Sequence, residues 1–139
     1  MDEALLAAYR ATDYRVRLTG GGWASIRIDS PLPDTLRDLT GYYHWGFITA
    51  WNPLSQPQSR ARNQLAQKQL LQRLKQMPHV RATRAAVGVG SNGWHERSLF
   101  VVGPPASAFD ALGQAFGQNA YVHGDGQGFA RLRLLAAPG

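Results

Sequence analysis

The 139-residue sequence contains no cysteine. Disulfides, thiolate metal sites, iron–sulfur clusters and cysteine nucleophiles are thereby excluded, and stability has to come from packing. Long apolar runs are missing as well. Nothing approaches the ~20 residues of a membrane span, and the opening MDEALLAAYR carries two acids where a secretory signal places positive charge. The expectation is a cytoplasmic protein without a membrane partner. The third scarcity is of acid. No Asp or Glu stands between Asp38 and Glu96, whereas Arg60, Arg62, Lys68, Arg73, Lys75, Arg81 and Arg84 all fall in that interval. The net charge of +6 arises there, because the rest of the chain holds eight basic residues against nine acids. Such clustering favours RNA or another phosphate-bearing partner, although a charge run also makes an ordinary solvated face.

What is present is enough for one core, with 44% of residues hydrophobic and no linker or repeat, so residues 1–139 read as a single domain. DEALLAAYRAT sets Leu5, Leu6, Ala8 and Tyr9 at helical spacing, a face expected on the core. DYRVRL and WASIRID alternate on either side of TGGG and read as a hairpin. Pairing Asp13 with Arg27 and Arg17 with Trp23 avoids placing Arg15 opposite Arg27, which like charges disfavour. SPLPDTLRDLTG offers one or two helical turns, and the aromatic YYHWGFITAWN reads as a buried strand. The longest helix is expected from about Gln56 to Met77, capped by Ser55 with Gln58 as its capping-box partner. RATRAAVGVG and WHERSLFVVG flank Asn92-Gly93, a strong hairpin signal. A third helix carries Phe109, Leu112, Ala115 and Phe116 on one stripe, and NAYVHGDGQGFARLRLLA closes the chain as a hairpin. These elements predict an α+β fold: a bent antiparallel sheet of five to six hairpin-linked strands with about three helices, a small Sm-like barrel being one variant.

The glycines of GVGSNG match the dinucleotide-binding spacing, but a strand follows where that motif needs a helix, so no cofactor is expected. His44, His79, His95 and His123 show no ligand spacing, and no metal is expected either. No nucleophile-elbow pattern supports a serine triad.

Two surfaces remain as candidates. Along the long helix, Leu70, Leu74 and Met77 define one face, with Leu71 and Ala66 at its edges, and its continuation toward the N-terminus is polar: Asn63, Ser59, Gln56. Buried polar groups need partners, so this end either closes a hydrogen-bonded knot or walls a ligand site. Thr49, Asn52, Glu96, Ser98, Gln118 and Asn119 are the candidate partners, and Glu96 is the one acid between Asp38 and Asp110. Glu96 could act as a general base, but a lone carboxylate supports binding better than catalysis, so enzymatic activity stays open. The other surface is the outward face of the first and last hairpins. Arg15, Arg17, Trp23 and Arg27, with Tyr121, Phe129, Arg131 and Arg133, interleave rings and guanidinium groups as stacked bases and phosphates require. Arg60 and Arg62 add to it. An RNA-binding module without catalysis is the first functional expectation, and a small-molecule or anion-binding protein or enzyme with its site at the start of the long helix is the second.

HWGFITAWNP, then Ser59 and Asn63, then Trp94, Glu96 and Ser98, and finally FGQNAYVHG appear in an order that resembles the bacterial domain-of-unknown-function family 3293. The resemblance spans Tyr42 to Gly124 and implies a small stand-alone bacterial protein. It implies no activity and no catalytic residues, and the N-terminal hairpin and the terminal FARLRLL lie outside it.

Overall fold

A computed structural model describes residues 2–135 of the chain. Seven strands form one antiparallel sheet: β1 (Asp13–Arg17), β2 (Trp23–Ile26), β3 (His44–Ile48), β4 (Ala82–Val89), β5 (His95–Val102), β6 (Ala120–Asp125) and β7 (Arg131–Leu134). The helices are α1 (Glu3–Ala11), α2 (Asp34–Thr40), α3 (Arg60–Lys75) and α4 (Ala106–Ala115). The α+β class is as expected, but the sheet has seven strands rather than five to six. The four-residue β2 and β7 find full ladders on β1 and β6 instead of fraying. A fourth helix appears because Asp34–Thr40 completes two turns. Among the described residues no helix is long and apolar enough to cross a membrane.

The strand order is β2-β1-β4-β5-β3-β6-β7. In the first hairpin Arg17 lies opposite Trp23 and Arg15 opposite Ser25, the register that spares Arg15 a like charge. β3 sits between β5 and β6. Both its faces are covered, which is why its sequence shows no polar alternation. Gly46 lets α4 press onto this strand, since a Cβ there would lie 2.9 Å from the Phe109 ring.

The sheet curls into a half-barrel. Asp29 N donates to Ala130 O at 2.8 Å, Ala130 N donates to Ser30 O at 2.9 Å, and Pro31 bridges to Phe129. Val16 and Ile26 from one end of the strand order therefore share a core with Val122 and Ala130 from the other, around Trp45, Phe47, Phe100 and Leu36. A second core lies on the outer face. There Leu70 and Leu74 of α3 and Phe109 and Leu112 of α4 cover Ile48, Val101 and Tyr121.

Three expectations change here. Tyr121 does face outward, but it lies under α4 and is only 4% exposed. Its hydroxyl donates to Asp110 Oδ1 at 2.8 Å, so it is withdrawn from base stacking. α1 buries none of its residues fully, because the strand ends beneath it are polar and it crosses the mouth of the curl rather than the core. α3 begins at Arg60 rather than Gln56, and its cap is Ser59, whose Oγ accepts from Arg62 N at 3.2 Å. Ser55 cannot cap it, being part of a tight left-handed segment described below.

On β3 and β6, His44 Nε2 lies 2.8 Å from His123 Nδ1, and His44 Nδ1 lies 3.0 Å from Pro104 O. A carbonyl only accepts, so His44 carries its proton on Nδ1 and His123 donates from Nδ1. Burial, then His44 and Arg133, hold the His123 pKa below 6.5, against the opposite pull of Asp110 and Asp125. At His123 the folded protein thus binds fewer protons than the unfolded chain just below pH 6.5, and the stability this residue contributes is lost as pH falls. Melting curves of the wild type and His123→Gln should therefore converge between pH 7 and 5. A constant gap between them would show that His123 is not titrating in this way.

Candidate functional site

The functional candidates gather at the end of the curl where the β4–β5 hairpin, the start of α3 and α1 meet. Asn52, 5% exposed, follows β3 in a left-handed conformation with φ 45°, which asparagine tolerates better than most residues. Leu54 (φ 56°) and Ser55 (φ 58°) share that conformation without being suited to it. Backbone strain of this kind persists only where surroundings enforce it. Here Leu54 N donates to Gly117 O, Gln118 Nε2 donates to Trp51 O at 3.2 Å, and Asn119 Nδ2 donates to Ser55 Oγ at 3.0 Å.

Asn63, on the first turn of α3, is the second hub. Its Nδ2 donates to Asn52 Oδ1 at 2.8 Å, while its Oδ1 accepts from Asn52 N at 2.8 Å and from Gln58 Nε2 at 2.7 Å. Gln58 N also donates to Asn52 Oδ1. The two asparagines thus satisfy each other in a buried, reciprocal pair that locks the left-handed loop onto α3.

Glu96 meets this pair from the sheet. Asn52 Nδ2 approaches Glu96 Oε1 at 3.5 Å, and Trp94 Nε1 donates to the same oxygen at 3.1 Å. Burial raises the carboxyl pKa above its ordinary value of 4.5, and the hydrogen bonds from Trp94 and Asn52 only partly offset it. No Arg, Lys or His pairs with Glu96 among the described residues. The reason lies in strand geometry. Neighbours along a strand point to opposite faces, so Glu96 enters the mouth of the curl while His95 and Arg97 emerge on the outside.

Inside that mouth lies a cavity of about 290 Å³, whose wall includes Leu5, Ala8 and Tyr9 of α1 together with Ser55, Trp94 and Glu96. Burial also raises the Tyr9 hydroxyl pKa, with the Glu96 charge adding to the effect. Outside, a larger cleft of about 580 Å³ runs between the start of α3 and the β4–β5 hairpin.

Of the polar candidates, Asn52, Asn63 and Glu96 converge. The others hold the frame: Thr49 Oγ1 donates to Arg97 O at 2.6 Å, Ser98 Oγ donates to Glu96 O, and Gln118 and Asn119 brace the loop. Tyr9, Ser55, Gln58 and Trp94 were not among them. Gln58 and Ser55 had readings as capping residues and Tyr9 as a core residue, and only the placement of Trp94 beside Glu96 on one strand face gave a signal. On the hairpin surface, Arg131 pairs with Asp29, Arg133 with Asp110 and Arg15 with Asp13, while Arg27 Nη1 donates to Ala11 O. Arg17 lies over Trp23 and Arg131 over Phe129, and both rings are about half exposed.

A curled antiparallel sheet with helices outside and an acid-floored cavity at its mouth defines a pocket-bearing α+β domain. The chain belongs to the family described as protein of unknown function DUF3293, whose model matches residues 48–121, more than half its length. That span contains Asn52, Asn63, Trp94, Glu96 and Gln118, omits the first hairpin and stops two residues into β6. Comparison with curated proteins and with solved structures gave no match.

Proposed function

We propose that the protein binds a small molecule in the cavity at the mouth of the curl, through a nitrogen that donates hydrogen bonds to Glu96. The supporting observation is a half-buried carboxylate, desolvated and without a cationic side-chain partner among the described residues, in the wall of a cavity. Partly buried charges are ordinarily paired, and a ligand ammonium, amidinium or amide N–H supplies what the protein does not. The size suits a compact ligand near the lower end of the usual range of roughly 300–1,000 Å³. Leu5 and Ala8 offer an apolar wall to its body, and Tyr9 and Ser55 offer hydroxyls to its polar edge. Strain in the 52–55 loop fits a preorganised wall. Binding is preferred to catalysis because Glu96 is the single carboxylate in the cavity wall and no histidine stands beside the Tyr9 and Ser55 hydroxyls to activate them.

A thermal-shift screen of primary amines, amidines and nucleobases at pH 7.5 tests this reading. Hits should raise the melting temperature of the wild type and of Tyr9→Phe, more weakly in the latter, and should leave Glu96→Gln unmoved. Hits that shift Glu96→Gln as much as the wild type would place the ligand elsewhere, and a screen in which no compound raises the melting temperature of the wild type would remove the proposal.

A further inference from the structure

The outer face at the same end of the sheet has a different chemistry. Trp51, Arg60, Trp94, His95 and Arg97 line the larger cleft, and no carboxylate does. Among the described residues none of Arg60, Arg62 and Arg97 is in an ion pair. The strand registers extend this cleft across the sheet. Arg97 stands opposite Val87, Val87 opposite Arg15, and Arg15 opposite Ser25. One step along, Ala85 of β4 lies on the same face as Val87, and Arg17 of β1 faces Trp23. Strands are about 4.8 Å apart, so Arg97 and Arg15 flank a floor of small side chains roughly 10 Å wide. Ala85 is exposed and Val87 half-buried, so no helix covers that floor. Tryptophans stand at both ends, Trp51 and Trp94 at one and Trp23, 47% exposed, at the other.

We infer that this trough binds single-stranded nucleic acid, with phosphates beside Arg97, Arg60 and Arg15 and bases stacked on the terminal tryptophans. A basic groove with aromatic platforms at intervals is the arrangement that tracks a flexible strand without reading its sequence. A duplex cannot present its bases to the rings. Asp13, which accepts from Arg15 Nε at 2.8 Å, is the one acid at the border and leaves the other nitrogens of that guanidinium available. The sheet separates this trough from the cavity, with Arg97 facing one and Glu96 the other, and Trp94 stands at the border and lines both. The trough keeps Arg15, Trp23 and Arg60 of the surface first expected and leaves out the last hairpin, where Arg131 and Arg133 are occupied by Asp29 and Asp110.

The test uses full-length protein freed of nucleic acid, with fluorescein-labelled 12-nucleotide single-stranded RNA, single-stranded DNA and duplex DNA, read by anisotropy at 50 and 200 mM salt. Single strands should bind and quench tryptophan fluorescence, and the duplex should bind at least tenfold more weakly. Three phosphate contacts imply an affinity loss on the order of 20-fold between the two salt concentrations. The double variant Arg15→Gln/Arg97→Gln should bind at least tenfold more weakly, with Lys75→Gln unchanged. No anisotropy change for either single strand at 50 mM salt overturns the inference. So does duplex binding as tight as single-strand binding. Should the double variant fail to fold, the quenching and strand preference of the wild type decide the matter alone, and the ratio of RNA to DNA affinity distinguishes the two sources of strand.

Discussion

Glu96→Gln should melt about 3 °C higher than the wild type at pH 7.5, while losing the ability to bind ligand in the cavity. The sign follows from the carboxyl's raised pKa. A group that holds its proton more tightly folded than unfolded opposes folding once pH exceeds the folded-state value, and opposes nothing below the unfolded value of 4.5. The advantage of glutamine should therefore be largest at neutral pH and vanish near pH 4. Glutamine keeps an oxygen for Trp94 Nε1 and Asn52 Nδ2, so the contacts at 3.1 and 3.5 Å survive and only the desolvated charge goes. A structural tie between strand and loop would give the opposite result, since its removal would lower the melting temperature. Stability gained at the expense of binding is the usual mark of a residue kept for function. Paired melting curves from pH 4 to 8 settle the sign.

Asn63→Ala should cost about 4 kcal/mol, a fall of roughly 12 °C in melting temperature. The side chain is 2% exposed and serves Asn52 twice and Gln58 once. Its loss strands the Asn52 backbone N–H in a buried place, leaves the Asn52 carboxamide oxygen with Gln58 N alone, and frees a loop whose residues 54 and 55 sit in the left-handed region. Ser59→Ala removes only a helix cap and should cost about 1 kcal/mol. The contrast between these two variants, four residues apart on one helix, is measurable by chemical denaturation. Equal costs would mean that Asn52 finds other partners and that the reciprocal pair is not what fixes the loop.

The outline of the fold was readable because alternation and turn chemistry are local. The first hairpin's register follows from two arginines and a tryptophan, and the helical stripe of Phe109 and Leu112 is buried as its spacing requires. The polar continuation of α3 was visible in Asn63, but the same projection counted Ser59, which is an exposed cap. Sequence periodicity carries on past the point where a helix begins, and only the left-handed turn at 52–55 decides where that point is. Tyr121 illustrates a second limit. Alternation assigned its side of the sheet correctly, yet whether that side meets water or α4 depends on a helix docked from elsewhere in the chain. The convergence of Tyr9 with Glu96 was illegible for the same reason, since it is created by the curl and not by either segment.

The position of β3 between β5 and β6 also bears on how the chain reaches its native state. Both neighbours of that central strand are synthesised after it, and β1 must wait for β4. When the aromatic segment His44–Ile48 leaves the ribosome, neither of its strand partners yet exists, and its two ladders can form only after the chain has reached residues 102 and 125. Non-local pairings of this kind slow folding and leave apolar strands open to wrong partners. The half-barrel is thus a structure that can close only late, when residues 129–131 arrive beside the segment after β2, and until then the aromatic strand stays open to wrong partners.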